Sequence, residues 1–477
     1  MENSILTPAQ LERGVAAVGD AHRLRRKLRT GGPLTFVTLG ASNVLRGGCH
    51  GWQQSKCASP QYSGAARGSD GRDRGWLLRA FDALNATWPH RGHRLINRAH
   101  MATGPQLYQQ CTNLYVPHTA DAVLLGFADI CGKSHDAMLF GGPFERLADS
   151  PFVQSLEGIV RALLARPDPP AVLLFNSFTF RVHRDKRYFE ASFSEQCDAA
   201  LHELASYYHL GVVSVRDALY HHARRWRRSG VATAASPYSY KQWSPDYGLH
   251  FDLRNGSRIA AELLVAWLRR AVEREAPHAT PVGADPLTRG TRATSAAACF
   301  TFDDTFDGTL RHPRVVRSEP PGKWRYARYA PGDANGTKRL KPGYVATARG
   351  AKLTIDTQHV AATAAPSVAG RVHVGFLKTY ASRAVALLRC VRPTCSCDEL
   401  WLRAHTDALA STTALEPSGG HPFRSTPQAP AGGSCLIELE MLTGSKEGAF
   451  KFVALQVTAS PDEAPSKAVG PRELAPP

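Results

Sequence analysis

A chain of 477 residues with 43% hydrophobic content is long enough for two or three folded domains and too apolar to be disordered throughout. Lysine plus arginine number 58 against 41 acidic residues, a formal charge of +17. The basic residues are dispersed, densest at Arg23–Arg29 and Arg224–Arg228, and no finger, homeodomain or RNA-binding motif accompanies them. The excess therefore predicts affinity for an acidic surface or polyanionic glycan rather than a nucleic-acid reader.

Thr7-Pro8 is a helix start, and the apolar spacing of Leu11, Val15, Val18, Leu24 and Leu28 predicts one helix running toward Gly31-Gly32. Leu34–Leu39 reads as a buried strand, Cys49–Asp73 as a long loop, and Leu77, Phe81 and Leu84 mark the next helix. A short segment at His93–Ile96 precedes the loop Asn97–Gly104. Further strands are predicted at Asp121–Phe127, Ala171–Phe175 and Gly211–Val215, with helices at Phe152–Leu164, Cys197–Tyr207 and Arg258–Arg270. Strands alternating with helices imply a three-layer α/β/α sandwich over residues 31–272, preceded by an N-terminal helix in 1–30.

Residues 273–297, rich in Ala, Pro, Thr and Arg, read as a linker. Beyond them the pattern changes to short strands at Tyr344–Thr347, Leu353–Asp356, His373–Tyr380, Val385–Cys390, Leu436–Met441 and Phe450–Val457. No helix separates these, so a β-rich sandwich is expected over 298–460, with a disordered tail at 461–477. In this part Trp324, Arg325, Tyr326 and Tyr329 form an aromatic-basic cluster that can hold a sugar ring or simply pack.

Ten cysteines lack the paired spacing of a zinc site; the four at 390, 395, 397 and 435 fit one or two disulfides. Cys131 follows an apolar strand and is expected as a buried thiol rather than a nucleophile. No cofactor or metal is expected. No stretch has the apolar length of a membrane span, and residues near Met1 lack the apolar core of a signal peptide. A soluble protein is expected, secreted or extracellular if sequence precedes Met1. Oligomeric state is not legible.

The most informative run is T-L-G-A-S-N at Thr38–Asn43, which places Ser42 where a buried parallel strand ends and a helix begins. In open α/β sheets chemistry gathers outside the carboxyl ends of the strands. Asp246 and His250, before another helix, supply the remaining residue types of a serine-hydrolase site. The bland reading makes Ser42 a helix cap, His250 a loop histidine and Asp246 a turn residue.

Together these segments resemble the SGNH, or GDSL-like, hydrolase family over about residues 20–272, in particular its plant and algal branch with a β-rich C-terminal extension. The resemblance implies a flavodoxin-like sandwich. Its first block, G-D-S, reads Gly40-Ala41-Ser42, so Ser42 matches the nucleophile. The second, N-x-G-x-x-G, reads Asn97–Ala102, where both glycines are alanines and Ala102 keeps a backbone amide. The third, G-x-N-D, is matched to Ala128–Cys131, which puts Ile130 where the oxyanion asparagine belongs. The D-x-x-H-P block reads Asp246–Phe251, with the aspartate one position further away.

The roles implied are His250 as general base, Asp246 as its orienting partner, and the amides of Ser42 and Ala102 as oxyanion donors. The expected substrate is a small carboxylic ester, such as an O-acetyl group on carbohydrate. Ile130 offers no donor, Asp129 beside it carries the wrong charge, and Asn97 and His100 are the candidates to substitute. Two alternatives accompany this reading. One is a catalytically impaired relative that binds glycan or protein, and the other is an O-acyltransferase using the same serine.

Overall fold

The computed structural model describes residues 4–48, 61–62, 74–131, 150–177, 198–228, 250–274, 285–288, 297–302, 312–329, 340–360, 369–379, 381–405, 412–425 and 434–459. Asp246, most of Cys49–Asp73 and the tail 461–477 lie outside them.

The first domain is built on a sheet of β1 (Val15–Ala17), β2 (Thr35–Gly40), β3 (Gln61–Tyr62), β4 (Arg94–Asn97), β5 (Ala122–Gly126), β6 (Ala171–Asn176) and β7 (Gly211–Ser214). Its order is β1-β7-β6-β5-β2-β4-β3. The inner strands β4, β2, β5, β6 and β7 run parallel, while β1 and β3 are antiparallel edges. The chain leaves β2 for β4 on one side and returns to β5 on the other. This is the flavodoxin-like order, with its switch point between β2 and β5.

β5 and β6 read as unbroken apolar runs because both faces of the sheet are covered. Phe36, Leu124 and Leu173 face a core shared with α2 (His22–Arg29), α4 (Trp76–Thr87) and α10 (Asn255–Glu273). Val37, Val123 and Leu174 face the opposite core, with α7 (Pro151–Leu164) and α8 (Asp198–Tyr208). Helix α10 is long because Leu263, Leu264, Trp267 and Leu268 keep one apolar face buried. It starts where Asp252 accepts the amides of Arg254, Asn255 and Gly256.

The single N-terminal helix expected from Leu11 to Leu28 is two helices. α1 (Pro8–Gly14) opens on a capping box between Thr7 and Gln10, and the chain then pairs as β1 before α2 begins. Glycine punctuates this break: Gly19 has φ +71°, and a Cβ there would sit 2.2 Å from the Gly211 nitrogen. The segment is an integral layer of the domain, since Glu262 of α10 accepts hydrogen bonds from Ser4, Ile5 and Leu6. The helix α9 (Val215–Arg228) also escaped the sequence reading.

The second domain is two antiparallel sheets. One has the order β10-β11-β19-β13-β17-β15, with β8 also on β19; the other reads β16-β14-β18-β12-β9. The strands are β8 (Ala297–Thr301), β9 (Arg314–Glu319), β10 (Trp324–Tyr329), β11 (Leu340–Ala346), β12 (Lys352–Val360), β13 (Ala369–Lys378) and β14 (Val385–Cys390). They continue with β15 (Cys395–Ser396), β16 (Leu400–Arg403), β17 (Thr412–Ser425), β18 (Ser434–Met441) and β19 (Phe450–Ala459). Strict alternation in β18 sends Cys435, Ile437, Leu439 and Met441 into the core. Trp324 is buried against Phe450 and serves the sandwich, whereas Tyr326, in ring contact with Phe302 and Tyr344, is 43% exposed.

Contacts between the domains are covalent as well as apolar. Cys111 of the first is disulfide-bonded to Cys299 of the second, and Val453 and Ala454 join the core under α7 and α8. Cys390–Cys397 and Cys395–Cys435 are also disulfides. The expected linker is pinned where it is described: Leu287 and Thr288 donate to the buried Glu157 of α7. Among the described residues, no helix is long and apolar enough to cross a membrane.

Candidate active site

β2 ends at Gly40, the Ala41 amide donates to Gly126 O at 3.0 Å, and the chain turns directly into α3 (Ser42–Gly47). The turn needs close backbone approach. A Cβ on Gly40 would lie 2.4 Å from Gly126 O and 2.6 Å from Val44 Cγ2. Ser42 is thereby delivered beside the end of β5, at the switch point. It is 6% exposed.

His250 Nε2 lies 2.7 Å from Ser42 Oγ, although 208 residues separate them. Two contacts hold the backbone that follows the histidine. Asn43 Oδ1 accepts the Phe251 amide at 3.1 Å, and Arg79 of α4 donates to Leu253 O at 3.0 Å. Asn43 is itself held by Trp76, whose indole N–H donates to its carbonyl. Sequence reasoning included Asn43 in the serine run but gave it no role.

A carboxyl group meets the serine from the other side. Asp129 sits on a 3-10 turn, Ala128–Ile130, directly after β5, and its Oδ2 lies 3.2 Å from both Ser42 Oγ and the Asn43 amide nitrogen. Its Oδ1 is buried without a hydrogen-bond partner among the described residues. Burial raises the Asp129 carboxyl above the ordinary carboxylate range, opposed by His250, the Asn43 amide, its own backbone amide and the Ser42 hydroxyl. Asp129 thus lies against Ser42 Oγ, and burial acts against its charged form.

The strand end offers a second register for the third block. The G-x-x-D spacing falls on Gly126-Phe127-Ala128-Asp129, starting at the last residue of β5, and not on Ala128–Cys131. Ala128 then stands where the asparagine would, while Ile130 is a half-buried residue packed against the helical core. Cys131 is disulfide-bonded, which removes it as a thiol.

Of the expected substitute donors, Asn97 is engaged elsewhere. The Asn97 side-chain amide donates to Val44 O and Leu45 O, and its Oδ1 accepts from Thr38 Oγ1 at 2.9 Å, so it locks α3 to the sheet. The His100 amide donates to Gly40 O, and its ring lies beside Tyr108. Ala102 adopts φ +48°, and its carbonyl accepts the amide of Thr413 from the second domain at 2.8 Å. The loop that carries the candidate oxyanion amide is thus held by the sandwich.

Two groups of side chains have metal-like composition among the described residues. Cys390, Cys395 and Cys435 are consumed in disulfides, and in Asp198, His202 and Asp217 the Arg216 guanidinium already pairs with Asp198. A cleft at the β1–β7 edge, lined by Gly19, Asp20, His202, Ser206, His209 and Arg274, contains none of the site residues.

No family model and no curated protein matches the chain. Among solved structures it is similar to a two-domain esterase active on acetylated mannans, co-crystallised with mannopentaose. The TM-score is 0.55 at 16% identity, covering 95% of this chain and 99% of that one. A second structure of a two-domain esterase active on acetylated mannans gives a TM-score of 0.54 at 15% identity, with the same coverage. The first domain is a flavodoxin-like α/β/α sandwich. The likeness spans both domains, so the β-sandwich belongs to the shared architecture and is not an unrelated appendage.

Proposed function

We propose that the chain is a serine esterase of the SGNH family that removes O-acetyl groups from carbohydrate. The observation that carries this reading is the 2.7 Å approach of His250 Nε2 to Ser42 Oγ at the sheet's switch point. His250 takes the Ser42 proton as Oγ attacks the ester carbonyl. The imidazolium then protonates the departing sugar oxygen, and water repeats the sequence on the acyl-serine. The amides of Ser42 and Ala102 face the developing charge, and Asp246 orients His250. The acetyl-carbohydrate substrate is supported by the esterase of like two-domain fold that acts on acetylated mannans. The plant and algal branch rests on the sequence resemblance.

The disulfides support folding in an oxidising compartment, which suits a secreted enzyme meeting polysaccharide. Acetate release from acetylated mannan and acetylated xylan, measured beside Ser42→Ala, tests the reading. Turnover that disappears in the variant is expected. Equal background release by both proteins contradicts it.

A further inference from the structure

Ser42 Oγ faces two groups at once, His250 Nε2 at 2.7 Å and Asp129 Oδ2 at 3.2 Å, and it has one proton to give. With a neutral imidazole and an ionised Asp129, two acceptors compete for that proton, and an anion sits against the oxygen that must become more negative. With His250 protonated and Asp129 ionised, the hydroxyl points at the carboxylate and the base is already full. Only one arrangement leaves the serine poised to attack: the Asp129 hydroxyl donates to Ser42 Oγ, and Ser42 Oγ–H donates to His250.

The surroundings of Asp129 agree with a proton on it. The residue is 8% exposed, and its Oδ1 has no hydrogen-bond partner among the described residues. A buried carboxylate is costly to keep charged where its hydrogen bonds are incomplete, which works against the ionised form. Its described neighbours are its own backbone amide, the Ser42 hydroxyl and the Asn43 amide from α3, and the His250 ring from the segment before α10. His250 is the titratable group among them.

We propose that Asp129 is a catalytic residue acting as a neutral carboxylic acid, the side-chain hydrogen-bond donor of a site whose third block carries alanine in place of asparagine. The proposal rests on the serine-esterase reading above. In the attack, the Ser42 proton passes to His250 Nε2, the Oγ–carbon bond forms, and the carbonyl π pair moves onto the carbonyl oxygen. The Asp129 O–H shifts its hydrogen bond from Oγ to that oxygen without giving up its proton. When the tetrahedral species collapses, the carbonyl reforms, the bond to the sugar oxygen breaks, and His250 returns its proton to the leaving oxygen. Asp129 ends as it began.

The pair predicts a bell-shaped rate profile. Loss of the first proton from the Asp129–His250 pair frees the base, and loss of the second removes the donor. Asparagine at 129 offers an N–H donor of the same shape that does not titrate. Ester turnover across the pH range therefore tests the proposal in wild type, Asp129→Asn and Asp129→Ala, with thermal melts confirming folding. Asp129→Asn is expected to keep turnover within about tenfold of wild type and to lose the alkaline decline, whereas Asp129→Ala falls about a hundredfold to a thousandfold. An Asp129→Asn protein as inactive as Asp129→Ala, or one with the alkaline decline intact, overturns the proposal while leaving the esterase reading standing. No Ser42-dependent turnover in wild type overturns that reading and this one together. Infrared spectroscopy of wild type gives an independent reading: a protonated-carboxyl band at neutral pH, absent from Asp129→Asn, is expected, and its absence from wild type overturns the proposal.

Discussion

A buried carboxyl beside a nucleophile leaves a mark on folding as well as on rate. The Asp129 carboxyl is raised by burial, so between the ordinary carboxylate range and its higher folded value the native chain holds a proton that the unfolded chain has lost. Its contribution to stability is full below the unfolded value and is lost as pH rises through the folded one. Urea unfolding across that window is predicted to show stability falling with pH, with a shallower fall in Asp129→Asn. An identical slope in the variant contradicts the assignment. Asp252 is shifted the same way by burial, so the variant flattens the slope only in part. Asp129 was hard to read from sequence. Its proposed role depends on a 3-10 turn that brings the carboxyl back over α3, whereas the motif match drew attention to Ile130, the next residue.

Among the elements, the β2–α3 turn carries the most consequence. Gly40 and Gly126 lie side by side, and Val44 fills the space that either Cβ would occupy. Gly40→Ala forces α3 away from β5, at about 1–3 kcal/mol of stability by overpacking. Displacement of Ser42 by about 1 Å is expected to lower kcat by about a hundredfold. Thermal melts and initial ester-hydrolysis rates check both; an unchanged kcat would show that the turn tolerates the methyl group. Ser42 and this turn were legible because a buried strand followed by small residues is a local signal, as was the apolar stripe of α10. The N-terminal break was not legible, because Leu11, Val15 and Val18 keep helical spacing through a segment that pairs as β1. β17 was missed because its Pro422 and Gly419-Gly420 imitate loop punctuation.

At the scale of the whole molecule, the site is assembled from distant pieces that packing brings together. Ser42 and Asp129 come from neighbouring strand ends, and His250 from the segment that opens α10. The sandwich reaches in through the Thr413 amide to hold Ala102, with Cys111–Cys299 securing the interface. Such long-range pairing is invisible to local spacing; the order of motif blocks led to Ser42 and His250 as a pair to look for, and their side chains approach to 2.7 Å. The central claim is that this assembly makes Ser42 a working nucleophile. Its most direct test is covalent capture: purified wild type, Ser42→Ala and His250→Ala are treated with an organophosphonate and read by intact mass and peptide mapping. The account predicts one adduct, on Ser42, absent from Ser42→Ala and strongly slowed in His250→Ala. No adduct on wild type, or an adduct on another serine, would contradict it.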